Sequence, residues 1–266
     1  MKSRYLTAAI GIPLVLFLVW LGGTAFVVVI TILALLGLRE LELACKSAST
    51  PLVSVVAYSF LLAILFFAWR YAIAGDRSHA DAIWLWLLPV ALMLLGVLSF
   101  GAHGKVSLAS IALTQLAVFY VGLFSFLLLL RFFPVGNGAL LWLVLIGVWT
   151  SDSAAFFAGR AFGKTKLTPL SPGKTREGFV IGVLATVAVC VGLSLSFHFG
   201  FTQGLAMGIL IALAAPLGDL IESFWKRELD VKDMGALFPG HGGVLDRCDS
   251  ILLASFAVYL YAFWQL

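Results

Sequence analysis

Nine apolar stretches run along the chain, at about residues 5–21, 24–38, 52–68, 82–100, 106–130, 139–150, 178–198, 204–221 and 245–264, with short polar connections between them. A helix rises 1.5 Å per residue and a bilayer core is about 30 Å thick, so runs of this length predict helices that cross or nearly cross a membrane. The first two stretches are short and are joined by Gly22-Gly23, which fits either two spans or one shallow hairpin. The sixth is short too, and its helix is expected to continue through "SDSAAFFAGRAFG". The opening "MKSRYLTAAIGIPLVLFLVWLGG" has the basic, apolar, small-residue order of a signal peptide, but it is read as the first membrane helix.

Composition agrees with the pattern. Of 266 residues, 62% are hydrophobic and 11% charged, and the mean hydropathy is +1.09. A soluble domain is about half apolar and a quarter charged, so a soluble globule is excluded. The expected fold is all-α: a polytopic integral membrane protein of about nine transmembrane helices with cytoplasmic loops. It forms one membrane domain over 1–266, divided into N-terminal helices (about 1–138) and a C-terminal half (about 139–266). Cys45, Cys190 and Cys248 are odd in number and lack CxxC spacing, so they are read as packing residues rather than a disulfide or zinc framework.

Charge then gives an orientation. With the N-terminus cytoplasmic and all nine stretches crossing, 14 of the 17 Lys and Arg fall on the cytoplasmic side, and only Arg70, Arg77 and Arg131 on the other. Asp76 and Asp81 are the only acids outside; the other 11 of 13 lie on or near the cytoplasmic face. Any chemistry is therefore expected there.

Two polar islands carry the candidates. In the first, 151–177, "GRAFGKT" resembles a P-loop, but the gap is three residues rather than four and a membrane helix precedes it. Glycine amides and lysines still suit phosphate oxygens without that fold. Gly159 and Gly163 form a GxxxG, which also suits close helix packing. Asp152 follows an apolar run directly, either as a helix-terminal acid at the interface or as part of a site. The "SPGKT" segment resembles an ordered phosphate-facing loop.

The second island starts with Asp219, after a Pro-Leu-Gly break, and continues to "VLDRCDS". Asp246 and Asp249 are spaced i, i+3 and would share a helix face, where two like charges call for a cation between them. Asp219 could complete an oxygen-rich site, which suits Mg²⁺ better than zinc. The plainer alternative is that Arg247 pairs with these acids. Lys226, Arg227 and Lys232 alternate with Glu228, Asp230 and Asp233, as in a solvated loop, and His241 alone would read as a helix-entry residue. Pro239-Gly240-His241-Gly242-Gly243 puts three glycines before a helix, whose amides offer a place for an anion. Together these features suggest a phosphorylated substrate meeting a lipid.

The string running from Ser223, Lys226-Arg227 and Lys232-Asp233 through Pro239, His241-Gly242-Gly243 and Asp246-Arg247 to Asp249 resembles the signature of the phosphatidate cytidylyltransferases, or CDP-diacylglycerol synthases. It covers some 27 residues without departure from the pattern, and "SDSAAFFAGRAFGK…SPGKTREG" is similar to an earlier loop of the same family. The resemblance implies the reaction CTP + phosphatidate → CDP-diacylglycerol + pyrophosphate, dependent on Mg²⁺, with room for a second cation. It implies CTP, phosphatidate and the bilayer as partners, and no nucleic acid; a homodimer is compatible with it.

On that resemblance Asp219, Asp246 and Asp249 are expected to hold Mg²⁺, supported by Asp152. Ser223, Lys164, Lys174, Lys226, Arg227, Lys232 and Arg247 are expected to bind substrate and its phosphates, Gly242 and Gly243 to bring amides close, and His241 to orient or protonate the leaving pyrophosphate. The expected location is a bacterial inner membrane, with the active site cytoplasmic. Three other readings use the same features: a CTP-dependent polyprenol kinase, which would release CDP; a cation-coupled transporter, whose acids should be spread through the bilayer depth; and a silent scaffold.

Overall fold

A computed structural model describes residues 2–74, 106–237 and 242–266. The expected span at 82–100, the charges Asp76, Arg77, Asp81 and Lys105, and Pro239, Gly240 and His241 lie outside the described residues. Among the described residues the regular elements are helices, joined by one isolated bridge between Lys166 and Thr175. They are α1 (Lys2–Leu21), α2 (Gly23–Ser47), α3 (Ser54–Ala74), α4 (Leu108–Gly122), α5 (Phe124–Arg131), α6 (Ala139–Phe162), α7 (Arg176–Ser196), α8 (Phe201–Glu228) and α9 (Leu245–Gln265).

Six stretches among the described residues are long and apolar enough to cross a membrane: Gly23–Ser47, Ser54–Ile73, Leu108–Arg131, Ala139–Phe162, Arg176–Ser196 and Phe201–Glu228. The chain is an all-α polytopic membrane protein. Its sixth apolar stretch does continue as one helix through Phe162, as expected. α2 runs on to Ser47 instead of ending near 38, and its 25 residues are enough to cross unaided.

The chain divides into two compact units, Met1–Leu129 with Leu229–Asp246 and Leu130–Glu228 with Arg247–Leu266. In the first, α2 buries Phe26, Ile30, Ala34, Gly37, Leu38, Leu41, Ala44 and Cys45, a stripe at helical spacing. Leu38, Leu41, Leu61 and Phe124 are fully buried there. Polar ties hold the helices where hydrocarbon contact is non-directional: the Val53 N–H donates to Thr114 Oγ1 at 2.9 Å, and Glu42 accepts from Tyr58 at 3.0 Å and from Ser54. Ser107 caps α4 by accepting from the Ser110 N–H at 3.0 Å.

In the second unit α6, α7 and α8 pack on one another. Without a solvent-driven hydrophobic effect between membrane helices, close backbone approach does much of the holding. Gly204 and Gly208, one turn apart on α8, supply it: a Cβ at Gly208 would lie 3.0 Å from Val187 Cα, and one at Gly204 2.6 Å from Ser194 Cβ. Pro216 lies inside α8, three residues before Asp219, where its ring removes one backbone donor.

Candidate active site

The loop between α6 and α7 is tied down at both ends. Thr175 caps α7, accepting from the Gly178 N–H at 3.2 Å. Glu177 reaches back to accept from the Lys164 N–H at 3.2 Å, the Thr165 N–H at 3.2 Å and the Thr165 hydroxyl at 2.6 Å. The Leu167 and Arg176 amides bond to Lys174 and Thr165 carbonyls at 2.9 and 3.0 Å, and Ser171 to Lys174 closes a turn with Pro172 at its second position. The segment is therefore ordered. The GxxxG pair serves this loop: a Cβ at Gly159 would lie 2.9 Å from Thr175 Oγ1, and one at Gly163 2.7 Å from Thr175 Cγ2. Thr175→Ala is expected to lower stability by about 1 kcal/mol, measured as a lower Tm of the detergent-purified protein.

This ordered loop delivers Lys174 to α8, where its ammonium pairs with the Asp219 carboxylate. One turn further along α8, Glu222 is 1% exposed and accepts from Lys226 Nζ at 3.0 Å. Ser223 donates to Asp219 Oδ1 at 3.4 Å, a long contact. α9 brings in Asp249, also buried, whose Oδ1 accepts from the Ser250 N–H at 2.7 Å. Gly218 makes this possible, because a Cβ there would run into the Asp249 backbone carbonyl.

Oxygens of Asp219, Glu222 and Asp249 thus lie within 4.8 Å of one another. At that separation each pair of full charges repels by about 3–4 kcal/mol at an effective dielectric of 20. Asp152, on an exposed position of α6, feels the fields of Asp249, Asp219 and Lys174. Four acids therefore face two lysines, Lys174 and Lys226. A divalent cation would balance the remainder, and an all-oxygen donor set suits Mg²⁺. The ion pairs found among the described residues are made by these lysines; Arg247 is exposed and takes no part in them.

Glu222 is the member that sequence reading missed. Its signal was the D-x-x-E spacing from Asp219, the same i, i+3 relation that drew attention to Asp246 and Asp249. Asp246, expected in the metal set, is not part of this cluster. Its Oδ2 accepts from the Gly243 N–H at 2.8 Å and the Met234 N–H at 2.9 Å, closing the loop before α9. The helix N-terminus expected to receive a substrate anion is filled from within: Glu40 of α2 accepts from the Val244 N–H at 2.8 Å and the Leu245 N–H at 3.1 Å. Gly242 has φ 85°, a conformation that favours glycine. Lys164, Arg227, Lys232 and Arg247 are exposed.

Residues 2–264 match the cytidylyltransferase family. The chain is 30% identical over 273 residues to the phosphatidate cytidylyltransferase of Bacillus subtilis (strain 168), covering 100% of this chain and 99% of that protein. It is 33% identical over 265 residues to that of Staphylococcus aureus (strain COL), with 95% of each chain covered. It is 43% identical over 142 residues to that of Helicobacter pylori (strain ATCC 700392 / 26695), with 53% of each covered. A match over nearly the whole length of the chain shows the kinship: the chain belongs to the cytidylyltransferase family.

Proposed function

We propose that this nucleotidyltransferase moves the cytidylyl group of CTP onto phosphatidate, giving CDP-diacylglycerol and pyrophosphate for phospholipid synthesis. The observation that carries the reading is the close trio Asp219, Glu222 and Asp249, with Glu222 and Asp249 buried and Asp219 partly exposed, flanked by Lys174 and Lys226 in a membrane-spanning chain. The named substrates follow the relatives, all called phosphatidate cytidylyltransferase.

The chemistry fits such a site. A phosphatidate oxygen forms the new bond to the α-phosphorus of CTP as the bond from that phosphorus to the bridging oxygen breaks, and pyrophosphate leaves with the electron pair. The nucleophile is already an anion, so no general base is required. The barrier is the approach of one polyanion to another, which is met by positioning and electrostatics. Asp219, Glu222 and Asp249 would hold Mg²⁺, with Asp152 as a fourth acid nearby. When bound, the ion offsets phosphate charge and steadies the leaving pyrophosphate.

Lys174 and Lys226, which now neutralise Asp219 and Glu222, would turn to the phosphates once a cation takes over that task. Lys164, Arg227 and Arg247 would supply further exposed cations for nucleotide and lipid phosphate. Asp246 serves as the tie of its loop. The charge distribution supports a cytoplasmic N-terminus and active site, and the bacterial relatives support a plasma membrane location.

The test is an assay of the detergent-purified protein with phosphatidate, Mg²⁺ and each of CTP, dCTP, UTP and ATP, with both products identified. CDP-diacylglycerol with pyrophosphate is the expected outcome. Release of CDP with a phosphorylated lipid would instead identify a kinase, and no lipid turnover from a folded protein would overturn the reading.

A further inference from the structure

Glu40 is a buried acid of the first unit, 8% exposed, in a helix long and apolar enough to cross a membrane. A carboxylate in such a place is costly unless its charge is met by good donors. Its donors come from 204 and 205 residues further on: Oε1 accepts from the Val244 N–H at 2.8 Å and Oε2 from the Leu245 N–H at 3.1 Å. These amides open α9, so the carboxylate also meets the positive end of that helix.

The surrounding shape is built for this contact. A Cβ added at Gly235 or at Gly243 would collide with the Glu40 carboxylate, so both sides of the loop close on it as bare backbone. One turn before Glu40, Gly37 leaves room for Leu245, whose Cδ2 would lie 3.0 Å from a Cβ there. Leu245 and Val244 are buried, at 0% and 1% exposure. The same backbone is tied a second time by Asp246 to Met234 and Gly243. The segment so fixed includes Gly243 and Asp246, with Gly242 beside them, part of the string that resembles the cytidylyltransferase signature.

We propose that Glu40 is a positioning residue for the cytidylyl transfer, fixing from α2 the backbone of the signature loop at residues 242–246. The proposal rests on the function given above. Both carboxylate oxygens are used, each by a different amide, so charge and acceptor count matter more than side-chain volume. Glutamine keeps the shape but turns an NH₂ donor against one of the two N–H groups. Aspartate keeps both acceptors and falls short by one methylene.

The order of activities is therefore expected to be wild type, then Glu40→Asp, then Glu40→Gln. kcat per folded molecule should fall about 100-fold in Glu40→Gln, the loss expected when reacting groups are misplaced by about 1 Å. A role in packing alone predicts the opposite order, with the isosteric Glu40→Gln close to wild type. Hydrogen exchange at residues 243–246 gives a readout that needs no substrate, and covers a Glu40→Gln protein that fails to fold. There, Glu40→Asp should exchange faster at Val244 and Leu245 while the α6–α7 segment is unchanged. Glu40→Gln at or above Glu40→Asp in kcat, or unchanged exchange in Glu40→Asp, would overturn the proposal. A wild type that makes no CDP-diacylglycerol would sink the functional reading instead, and the exchange result would still report on Glu40.

Discussion

Asp249→Asn is expected to lower kcat by at least about 100-fold, the upper end of what loss of a mere supporting partner of a metal ligand costs. Folding should survive the change. Asparagine keeps an oxygen for the Ser250 N–H, which Asp249 Oδ1 now receives at 2.7 Å, and it removes one of three charges crowded within 4.8 Å. Metal-free Asp249→Asn protein is therefore expected to be no less stable than wild type. Added Mg²⁺ should raise the Tm of wild type and raise that of the variant less, because ligand binding to the folded state alone stabilises it in proportion to affinity. Glu222→Gln should behave in the same way. Full activity in either variant, per folded molecule, would remove the trio from the mechanism.

Gly218→Ala is expected to damage stability and catalysis together. The atoms that a Cβ would meet are the carbonyl oxygen of Asp249, its carbonyl carbon at 3.0 Å and Ser250 Cα at 3.2 Å. All three are backbone, so no side-chain rotation relieves the clash, and α8 and α9 must move apart locally. Overpacking of this kind costs about 1–3 kcal/mol. The same movement separates Asp219 from Asp249, and a displacement of about 1 Å between groups that act together costs about 100-fold in rate. Gly173→Ala and Gly192→Ala are the controls, since a Cβ at either would have no neighbour within 4 Å. Tm and kcat of the three variants, measured side by side, decide the matter: a Gly218→Ala protein indistinguishable from the controls would show that the helices have slack here.

Hydropathy made the spans legible because a run of apolar residues has few alternatives. α6, α7 and α8 lie close to where the pattern put them, and the continuation of α6 past Ser151 was readable as well. The end of α2 was not. Arg39, Glu40 and Glu42 break the apolar run, and nothing near them in sequence accounts for a buried acid, because the amides that satisfy Glu40 belong to Val244 and Leu245. In the same way, i, i+3 spacing gives Asp246 and Asp249 a common face but cannot reveal that Met234 and Gly243 take up Asp246 Oδ2. Glu222 was hidden by its own ordinariness. Next to Lys226 it reads as one half of an i, i+4 pair, which it is, and only the arrival of Asp249 from α9 gives it a second task.

The placing of Asp219 along α8 bears on how a lipid would reach the reaction. α8 ends at Glu228, nine residues beyond Asp219, or about 14 Å along the helix axis. The acids Asp219 and Glu222 and the lysine Lys226 therefore line the last turns of α8 itself, and the loop that follows it does not carry them. Each methylene drawn out of hydrocarbon into water costs about 0.8 kcal/mol. Hauling both acyl chains of a phospholipid outward by two or three methylenes apiece would thus cost about 3–5 kcal/mol. A site carried on the helix itself would spare its substrate that climb: the diacylglycerol moiety would stay submerged, and the nucleotide would come to it.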